Sequence, residues 1–258
     1  MNVLVVGASG YIGKNFASYA SSQDNFSINA ISSREEWKTV NFENYDSVLF
    51  AAGIAHRKQT AENAELYFKI NYELAVSVAQ KAKSAKVPHF VYLSSLAVYG
   101  KKEGEISANT KANPRHNDYY GKSKLAAEDA LKNLADANFK IAILRPPMVY
   151  GSGCPGKFAQ LEKIAKYLPI VPNNNNKRSI IYIEKLSEIL CTIISERSGG
   201  IFLPQDDQYA NTAELIRLSR QKKGKKTVII NMGYILNLCM AIFPQLKTAF
   251  GSLYYLKE

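Results

Sequence analysis

Two residues in one helical segment, Tyr120 and Lys124, have the types and the spacing that proton transfer in an active site requires. Side chains four residues apart lie on the same face of a helix. A free tyrosine has a pKa of about 10, and a neighbouring ammonium lowers that pKa because it stabilises the phenolate. We therefore predict that Tyr120 donates a proton and that Lys124 tunes it. The alternative tyrosine is Tyr119, but its fourth neighbour is Ser123, which carries no charge.

A serine pair, Ser94-Ser95, follows the apolar run 90–93, upstream of the tyrosine. A hydroxyl at the end of a strand can hydrogen-bond a substrate oxygen as negative charge develops on it. The serines could instead cap the strand, and a tyrosine and a lysine at this spacing also occur by chance in many helices. Together, in this order along the chain, the serine pair and the tyrosine–lysine pair predict one catalytic site.

Seven residues after the first apolar run have the pattern of a loop that binds a dinucleotide pyrophosphate. In such a loop the first glycine permits a tight turn, the second lets the backbone approach the phosphates, and the third lets helix and strand pack closely. The start of the following helix adds free N–H groups and partial positive charge. The alternative is a plain turn between a strand and a helix. The pattern comprises Gly7, Ala8, Ser9, Gly10, Tyr11, Ile12 and Gly13.

The end of the second apolar run favours NADP(H) as the cofactor. Proteins that prefer NAD usually carry an acidic residue there, which holds the ribose 2′-hydroxyl. This chain has Ile31-Ser32-Ser33-Arg34 instead, with no carboxylate before Glu35. Arg34 can form paired hydrogen bonds to a 2′-phosphate, assisted by the hydroxyls of Ser32 and Ser33. NAD(H) is the alternative, and it applies if Arg34 is only a solvated loop charge.

These residues need a framework in which strands alternate with helices. Such alternation predicts an α/β fold, a Rossmann-type doubly wound parallel sheet with helices on both faces. The ligand of such a sheet lies at the carboxyl ends of the strands. We expect 1–150 to form the dinucleotide-binding domain and 151–258 a small C-terminal substrate-binding lobe, interleaved with the first. The predicted strands are 3–6, 26–31, 47–51, 90–93, 141–144, 179–183 and 201–203, and the predicted helices are 11–21, 64–85, 119–134 and 184–195.

The composition is that of a globular protein with an excess of basic charge. The 258 residues include 33 lysines and arginines against 22 aspartates and glutamates, a net charge of +11. These charges are scattered, apart from one cluster that we interpret as a solvated loop rather than a binding patch. No aromatic residues are interleaved with the cluster, so it does not predict nucleic-acid binding. The cluster comprises Arg220, Lys222, Lys223, Lys225 and Lys226.

Other features favour a cytoplasmic protein without a metal site. The three cysteines are widely spaced and predict neither metal ligands nor a disulfide framework. Met1 leads directly into the first apolar run, so we expect no signal peptide. The apolar stretch 228–243 has 16 residues, fewer than the roughly 20 that cross a bilayer. We favour a packed helix there over a peripheral membrane contact helped by the basic cluster.

The motifs together resemble one known family. They are the glycine loop, Ala51-Ala52-Gly53, the serine pair followed by Val98-Tyr99-Gly100, Tyr120 with Lys124, and Leu144-Arg145-Pro146-Pro147. From Met1 to about Leu203 the chain resembles the extended short-chain dehydrogenase/reductase family, which covers nucleotide-sugar epimerases, dehydratases and 4-ketoreductases. The resemblance implies that Ser95 is the catalytic hydroxyl, with Ser94 beside it, and that Ser95 binds substrate.

The resemblance also implies further binding residues. Ala51-Ala52-Gly53 and Pro147 are expected to line the cofactor, as are Tyr120 and Lys124. Asn71 matches an asparagine that the family keeps on the helix before the fourth strand, and we expect it at the cofactor. Arg178 resembles the arginine that grips the substrate diphosphate. Lys157 is a second candidate substrate contact, at a position where relatives often show asparagine.

Within the family, segments 145–151 and 250–253 most resemble bacterial surface-polysaccharide enzymes that reduce UDP-4-keto-6-deoxy-N-acetylhexosamines. The chain departs from that pattern because it stops soon after Leu253, where relatives continue. We predict an NADP(H)-dependent 4-ketoreductase of a nucleotide-activated, UDP-linked sugar, with a homodimer as a candidate assembly. The alternatives are a 4-epimerase with tightly bound NAD, a non-catalytic redox sensor, and a membrane-associated assembly component suggested only by 228–243.

Overall fold

The computed structural model describes residues 1–55, 57, 59–243 and 246–257. The strands are β1 (Asn2–Val6), β2 (Ser27–Ile31), β3 (Ser47–Phe50), β4 (His89–Leu93), β5 (Gly104–Ile106), β6 (Lys140–Leu144), β7 (Met148–Tyr150), β8 (Ile170–Asn173), β9 (Ile180–Tyr182), β10 (Gly200–Phe202), β11 (Val228–Asn231) and β12 (Leu253–Tyr255). The helices are α1 (Tyr11–Ala20), α2 (Glu36–Thr39), α3 (Ala64–Phe68), α4 (Leu74–Ser84), α5 (Tyr119–Leu134), α6 (Lys157–Ala165), α7 (Ile183–Glu196), α8 (Thr212–Gln221), α9 (Gly233–Ile242) and α10 (Lys247–Phe250).

Six strands form the central sheet, in the order β10-β6-β4-β3-β1-β2, and every neighbouring pair is parallel. This confirms the doubly wound parallel sheet predicted from the alternation of strands and helices. After β2 the chain passes back over β1 to form β3, so the strand order reverses between β1 and β3. A ligand crevice forms at such a reversal, outside the carboxyl ends of the strands.

Different helices cover the two faces of this sheet, because side chains alternate along each strand. On one face, Leu4 and Val6 belong to a buried apolar cluster with Val78 of α4 and Leu131 of α5. Right-handed crossovers place α1 and α7, which pack against each other, on the opposite face. The predicted helix 64–85 is interrupted by a π-helical turn, Lys69–Glu73, between α3 and α4.

The chain divides into two units. The first unit comprises Met1–Gly100, Ala112–Pro147 and Tyr182–Pro204 and contains the central sheet, and the second comprises Lys101–Lys111, Met148–Ile181 and Gln205–Glu258. The sequence suggested one main boundary near residue 150. In the structure 101–111 belong to the second unit and 182–204 to the first.

The second unit is built from pairs of short strands and from helices α6, α8, α9 and α10. Strands β8 and β11 are parallel neighbours, as are β5 and β12. A small core forms where α6 and α8 pack on β8 and β11, and it comprises Ala165, Val171, Ala213 and Ile216, with Leu161, Leu168 and Ile229 packed against it.

The prediction of one packed helix over 228–243 is wrong. The β-branched residues Val228, Ile229 and Ile230 form β11, as such residues favour strands. Helix α9 begins only at Gly233, and Leu236 and Met240 are its only buried residues. Within the described ranges, no helix is long and apolar enough to cross a membrane.

Candidate active site

The loop after β1 is held against the ends of two neighbouring strands. The backbone N–H groups of Gly7 and Ala8 both donate to the carbonyl of Ile31, at 2.9 and 3.0 Å. Gly7 has a φ of +109°, and a Cβ there would lie 2.5 Å from the backbone nitrogen of Ala52. Only glycine therefore fits at the first position of the loop. A Cβ on Gly13 would similarly lie 2.5 Å from the carbonyl oxygen of Gly7, so α1 packs directly on the turn.

The start of α1 has the features of an anion site. Gly10 precedes the helix without a side-chain cap, and the first turn contains no acidic residue. The first N–H groups of a helix have no partner within the helix, and its dipole places partial positive charge there. Around this turn Ser9 is exposed, Tyr11 and Ile12 are half-buried, and Ala51 and Ala52 line the adjacent end of β3. These residues fit a dinucleotide pyrophosphate.

The end of β2 carries a carboxylate that the sequence analysis missed. Ser32 and Ser33 are half-buried and Arg34 is exposed. The carboxylate of Glu36 accepts a hydrogen bond of 2.7 Å from the backbone N–H of Ser32, so it folds back onto the strand end. Glu35, the nearer acid in sequence, instead pairs with Lys38 at 2.8 Å. The one signal in the sequence was the spacing, because Glu36 follows Ser32 by four residues.

The structure distinguishes the roles of Ser94 and Ser95. The side chain of Ser95 lies next to that of Tyr120 in the first turn of α5 and acts to lower the pKa of the phenol. Its hydroxyl also accepts from the backbone N–H of Ala97 at 3.2 Å, so Ser95 caps the 3₁₀ turn that follows β4. The Ser94 hydroxyl donates instead to the carboxylate of Glu128. Of the two serines, Ser95 is therefore the one placed beside the tyrosine.

Ser94 belongs to a buried polar network that supports the site from behind. The carboxylate of Glu128, fully buried on α5, accepts a hydrogen bond of 3.0 Å from the Nε of Arg145 on one oxygen and a hydrogen bond from its Nη2 on the other. Arg145 also donates to the hydroxyl of Tyr99 at 2.8 Å. This network ties β4, the following turn, α5 and the end of β6 together. Glu128 was missed by sequence reasoning, although it lies four residues after Lys124 on the same helix face.

Lys124 is buried and oriented by the end of β4. Its Nζ donates to the carbonyl of Leu93 at 2.8 Å and lies 4.6 Å from the ring centroid of Tyr92. Burial lowers the pKa of Lys124 to about 7, and Glu128 opposes that shift. A Cβ added to Gly53 would lie 3.2 Å from this Nζ, so the segment after β3 passes directly beside the ammonium.

The electrostatics of Tyr120 differ from the sequence-based expectation. Burial raises the pKa of Tyr120, and its hydrogen bond with Ser95 acts in the opposite direction. A lowering by Lys124 was expected, but the Lys124 ammonium is directed to the carbonyl of Leu93. Tyr119 has no comparable hydrogen bond with the serine pair in the described part of the chain, so Tyr120 is the tyrosine that the fold places against Ser95.

Asn71 holds the surrounding segments in place. In the π-helical turn, its Oδ1 accepts from the N–H of Ile54 at 2.9 Å, and its Nδ2 donates to the Ile54 carbonyl and the Ser123 hydroxyl at 3.2 and 3.0 Å. Asn71 thereby joins the segment after β3 to α5. Pro147, the remaining candidate at the cofactor, is buried in the segment after β6.

The two candidate substrate residues lie in the second unit. Arg178 is half-buried, and its Nη1 donates to the carbonyls of Gly251 and Ala249 at 2.9 and 3.5 Å. Burial lowers the pKa of Arg178. Among the described residues no carboxylate forms an ion pair with Arg178, so a structural bridge to an acidic residue such as Glu184 is not observed there. Lys157 is exposed at the first position of α6.

Known proteins resemble this chain in sequence and in fold. The model of the NAD dependent epimerase/dehydratase family matches residues 3–203. A UDP-glucose 4-epimerase of Vibrio cholerae is 31% identical over 223 residues, which are 81% of this chain and 67% of that protein. An N-acetyl-alpha-D-glucosaminyl-diphospho-ditrans,octacis-undecaprenol 4-epimerase of Escherichia coli O157:H7 is 24% identical, over 92% of this chain and 77% of that protein. A solved dTDP-4-dehydrorhamnose reductase of Clostridium acetobutylicum has the same fold, with a TM-score of 0.76 at 18% identity, over 100% of this chain and 90% of that one.

Proposed function

This chain belongs to the NAD dependent epimerase/dehydratase family and is a nicotinamide-dependent enzyme of nucleotide sugars, and we propose that it reduces the C4 carbonyl of a UDP-linked sugar with NADPH. The observation that carries the proposal is the placement of the Ser95 side chain next to that of Tyr120, with Lys124 on the same face of α5. A non-catalytic redox sensor is disfavoured, because such a protein has no need of this oriented set.

The residues can act on a carbonyl in a defined way. The Ser95 hydroxyl donates a hydrogen bond to the sugar oxygen, and Tyr120 transfers its phenolic proton to that oxygen as the carbonyl becomes an alcohol. A bound nicotinamide supplies the hydride that adds to C4. The raised pKa of Tyr120 keeps the phenol protonated at neutral pH, which is the state from which a proton donor starts. Lys124 is held by the Leu93 carbonyl at the segment where the cofactor is expected.

Two side chains at the end of β2 bear on the cofactor in opposite directions. The exposed guanidinium of Arg34 suits the 2′-phosphate of NADP(H). The Glu36 carboxylate, bound to the N–H of Ser32, suits the ribose 2′-hydroxyl of NAD(H) and repels a phosphate. We propose NADP(H), with Arg34 turning towards the phosphate. Arg34→Asp should reverse the preference for NADPH over NADH, whereas Glu36→Gln should strengthen that preference. Equal affinity of the unaltered protein for NADPH and NADH would disprove the proposal.

A 4-epimerase is the second candidate, and specific observations favour it. Glu36 stands where an NAD-binding protein needs a carboxylate, and both curated relatives named above are 4-epimerases. The same Ser95, Tyr120 and Lys124 would serve it, since an epimerase oxidises and re-reduces C4 with no net redox change. In an epimerase Tyr120 would act first as a base and then as an acid on the same oxygen.

One experiment separates these reactions. The purified chain is incubated with UDP-4-keto sugars and NADPH or NADH, and separately with UDP-hexoses without added reductant. A ketoreductase consumes one reduced cofactor for each alcohol formed, whereas an epimerase interconverts the hexoses without consuming any. Tyr120→Phe should lower either activity by about 100-fold or more, while the matched variant Tyr119→Phe should retain it. Near-normal turnover of Tyr120→Phe would remove the assignment.

We also propose that Arg178 binds the substrate diphosphate. Its Nη1 is held by two backbone carbonyls, which orients the guanidinium, and the fork can present its other nitrogens to phosphate. Arg178→Ala should weaken the binding of UDP and of UDP-sugar alike, measured by calorimetric titration, and leave NADPH affinity unchanged. Lys163→Ala, which removes an exposed cation of the same unit, serves as the control and should leave the affinity for UDP unchanged. Lost thermal stability with unchanged UDP affinity would assign Arg178 a structural role only.

A further inference from the structure

Helix α9 exposes apolar side chains to solvent on one of its sides. Leu236 and Met240, its buried residues, lie on one side of the helix. Four large side chains lie within about 100° of one another around the helix axis on the opposite side, given the rotation of a helix per residue. They are Tyr234, Ile235, Leu238 and Ile242, with exposed fractions of 85%, 52%, 54% and 63%. The helix is therefore apolar on both sides, and the side with these four residues is not covered by any described part of the chain.

A two-stranded sheet next to α9 also exposes apolar side chains. Val228 of β11 pairs with Ile170 of β8, and Ile230 follows two residues after Val228 on the same face of the strand. All three are exposed, whereas Ile229, on the other face, packs against the small core. Helix α9 packs against β8 and begins two residues after β11. We call Ile170, Val228, Ile230, Tyr234, Ile235, Leu238 and Ile242 together the apolar face.

A loop rich in lysine leads directly into this face. Lys222, Lys223, Lys225 and Lys226 are exposed between α8 and β11. Arg220, grouped with them in the sequence, has a different role: it is buried and donates to the carbonyls of Ala165, Lys166 and Lys226 at 2.8, 3.0 and 2.9 Å. Arg220 thus fixes the lysine loop to the end of α6. Residues 221–257 include six lysines and no aspartate or glutamate.

We propose that the apolar face and the lysine loop bind the surface of an anionic lipid bilayer. Exposed apolar patches of this kind mark interaction surfaces in soluble proteins. Apolar side chains insert at the boundary between headgroups and acyl chains, a tyrosine suits the headgroup level, and lysines are attracted to anionic lipid. A second copy of the chain fits less well, because residues 221–257 offer no carboxylate to the lysines of another copy. The proposal concerns the second unit alone and does not depend on the reaction.

Vesicle flotation of the purified full chain tests the proposal. We expect binding to phosphatidylcholine vesicles that contain about 30% phosphatidylglycerol, and much weaker binding to phosphatidylcholine alone. Raising the salt to about 0.5 M should weaken binding to the anionic vesicles, since it screens the lysines. Equal binding to both kinds of vesicle, or binding to neither, would overturn the proposal.

Two pairs of variants locate the contact. Leu238→Asn should weaken vesicle binding by about tenfold or more, because a leucine that becomes buried in the bilayer contributes that much to binding. The control Ile201→Asn, at an exposed isoleucine of β10, should leave vesicle binding unchanged. Lys222→Gln with Lys223→Gln should weaken it by roughly 30-fold, and the exposed pair Lys101→Gln with Lys102→Gln should not. Unchanged melting temperatures confirm that the variants fold.

A further measurement distinguishes the bilayer from a second copy of the chain. Light scattering on the chain without vesicles should give a mass that Leu238→Asn does not change. A dimer that Leu238→Asn dissociates, combined with no binding to anionic vesicles, would assign the apolar face to self-association and refute the bilayer contact.

Discussion

The first unit carries 17 lysines and arginines against 15 aspartates and glutamates, a net charge of +2, whereas the second carries 16 against 7, a net charge of +9. Exposure differs in the same way. Of the large apolar residues that are exposed in the described ranges, only Tyr182 and Ile201 lie in the first unit, and twelve lie in the second. The excess charge that looked scattered along the sequence is thus concentrated in one unit.

The two units differ in which side chains they bury and which they leave exposed. The first unit buries its apolar residues around the sheet and pairs the buried Glu128 with the buried Arg145 behind the candidate site. The second unit has a small core and leaves apolar and cationic side chains at its surface. Substitutions should therefore act on stability in the first unit and on binding in the second.

The largest effect is expected where the first unit buries a charge. Glu128→Ala removes the carboxylate that neutralises the buried guanidinium of Arg145 and should destabilise the protein by about 3–5 kcal/mol, measured by urea unfolding. The neighbouring Asp129→Ala, which removes only an exposed partner of Lys132, should change stability by about 0.5 kcal/mol or less. Similar losses in the two variants would mean that the buried ion pair contributes no more to stability than the exposed one.

The same leucine deletion should differ sharply between the units. Leu131 is fully buried in the sheet core, so Leu131→Ala should cost about 2–5 kcal/mol of unfolding free energy. Leu238 is 54% exposed on α9, so Leu238→Ala should change it by about 0.5 kcal/mol or less. A large loss for Leu238→Ala would show that α9 packs against protein in solution, which would break the contrast.

A pH effect on stability should come from His89, buried in the first unit. Its ring nitrogens lie 2.9 Å from the Ser47 hydroxyl and 3.1 Å from the Ser198 carbonyl, and burial lowers its pKa to about 4. Between the unfolded pKa of about 6.5 and this value the unfolded chain binds more protons, so stability should fall as the pH drops, by about 3 kcal/mol. The difference between the unaltered protein and His89→Gln, followed by unfolding from about pH 7.5 to 4, isolates this contribution. Parallel pH profiles would count against it.

The smallest effect is expected for an exposed ion pair of the second unit. Lys247 and Glu103 lie 2.6 Å apart with both side chains partly exposed, so Glu103→Gln should cost less than about 1 kcal/mol. Thermal unfolding at low and high salt measures it. A loss as large as that of Glu128→Ala would show that the positive charge of the second unit must be offset by ion pairs within the protein.

Much of the first unit was predictable because its signals are local. The glycine loop, the apolar runs and the four-residue spacing of Tyr120 and Lys124 each lie within a few residues of sequence, and parallel strands bring their carboxyl ends to one edge. The choice between Ser94 and Ser95 was not predictable from spacing, because it depends on Glu128 and Tyr120, which meet the serines only after folding. The same holds for Glu36, whose carboxylate returns to Ser32 through a turn.

The sequence by itself determined the Rossmann-type sheet, the dinucleotide loop and the residue types of the candidate site, because periodicity and short motifs specify secondary structure and its ends. Only the tertiary structure decided where apolar residues face. The stretch 228–243 is apolar whether it packs inside or lies outside, and its division into β11 and α9, with Leu236 turned inward and Leu238 outward, depends on which neighbours cover each side. Exposure is a property of the assembled unit, and composition alone does not contain it.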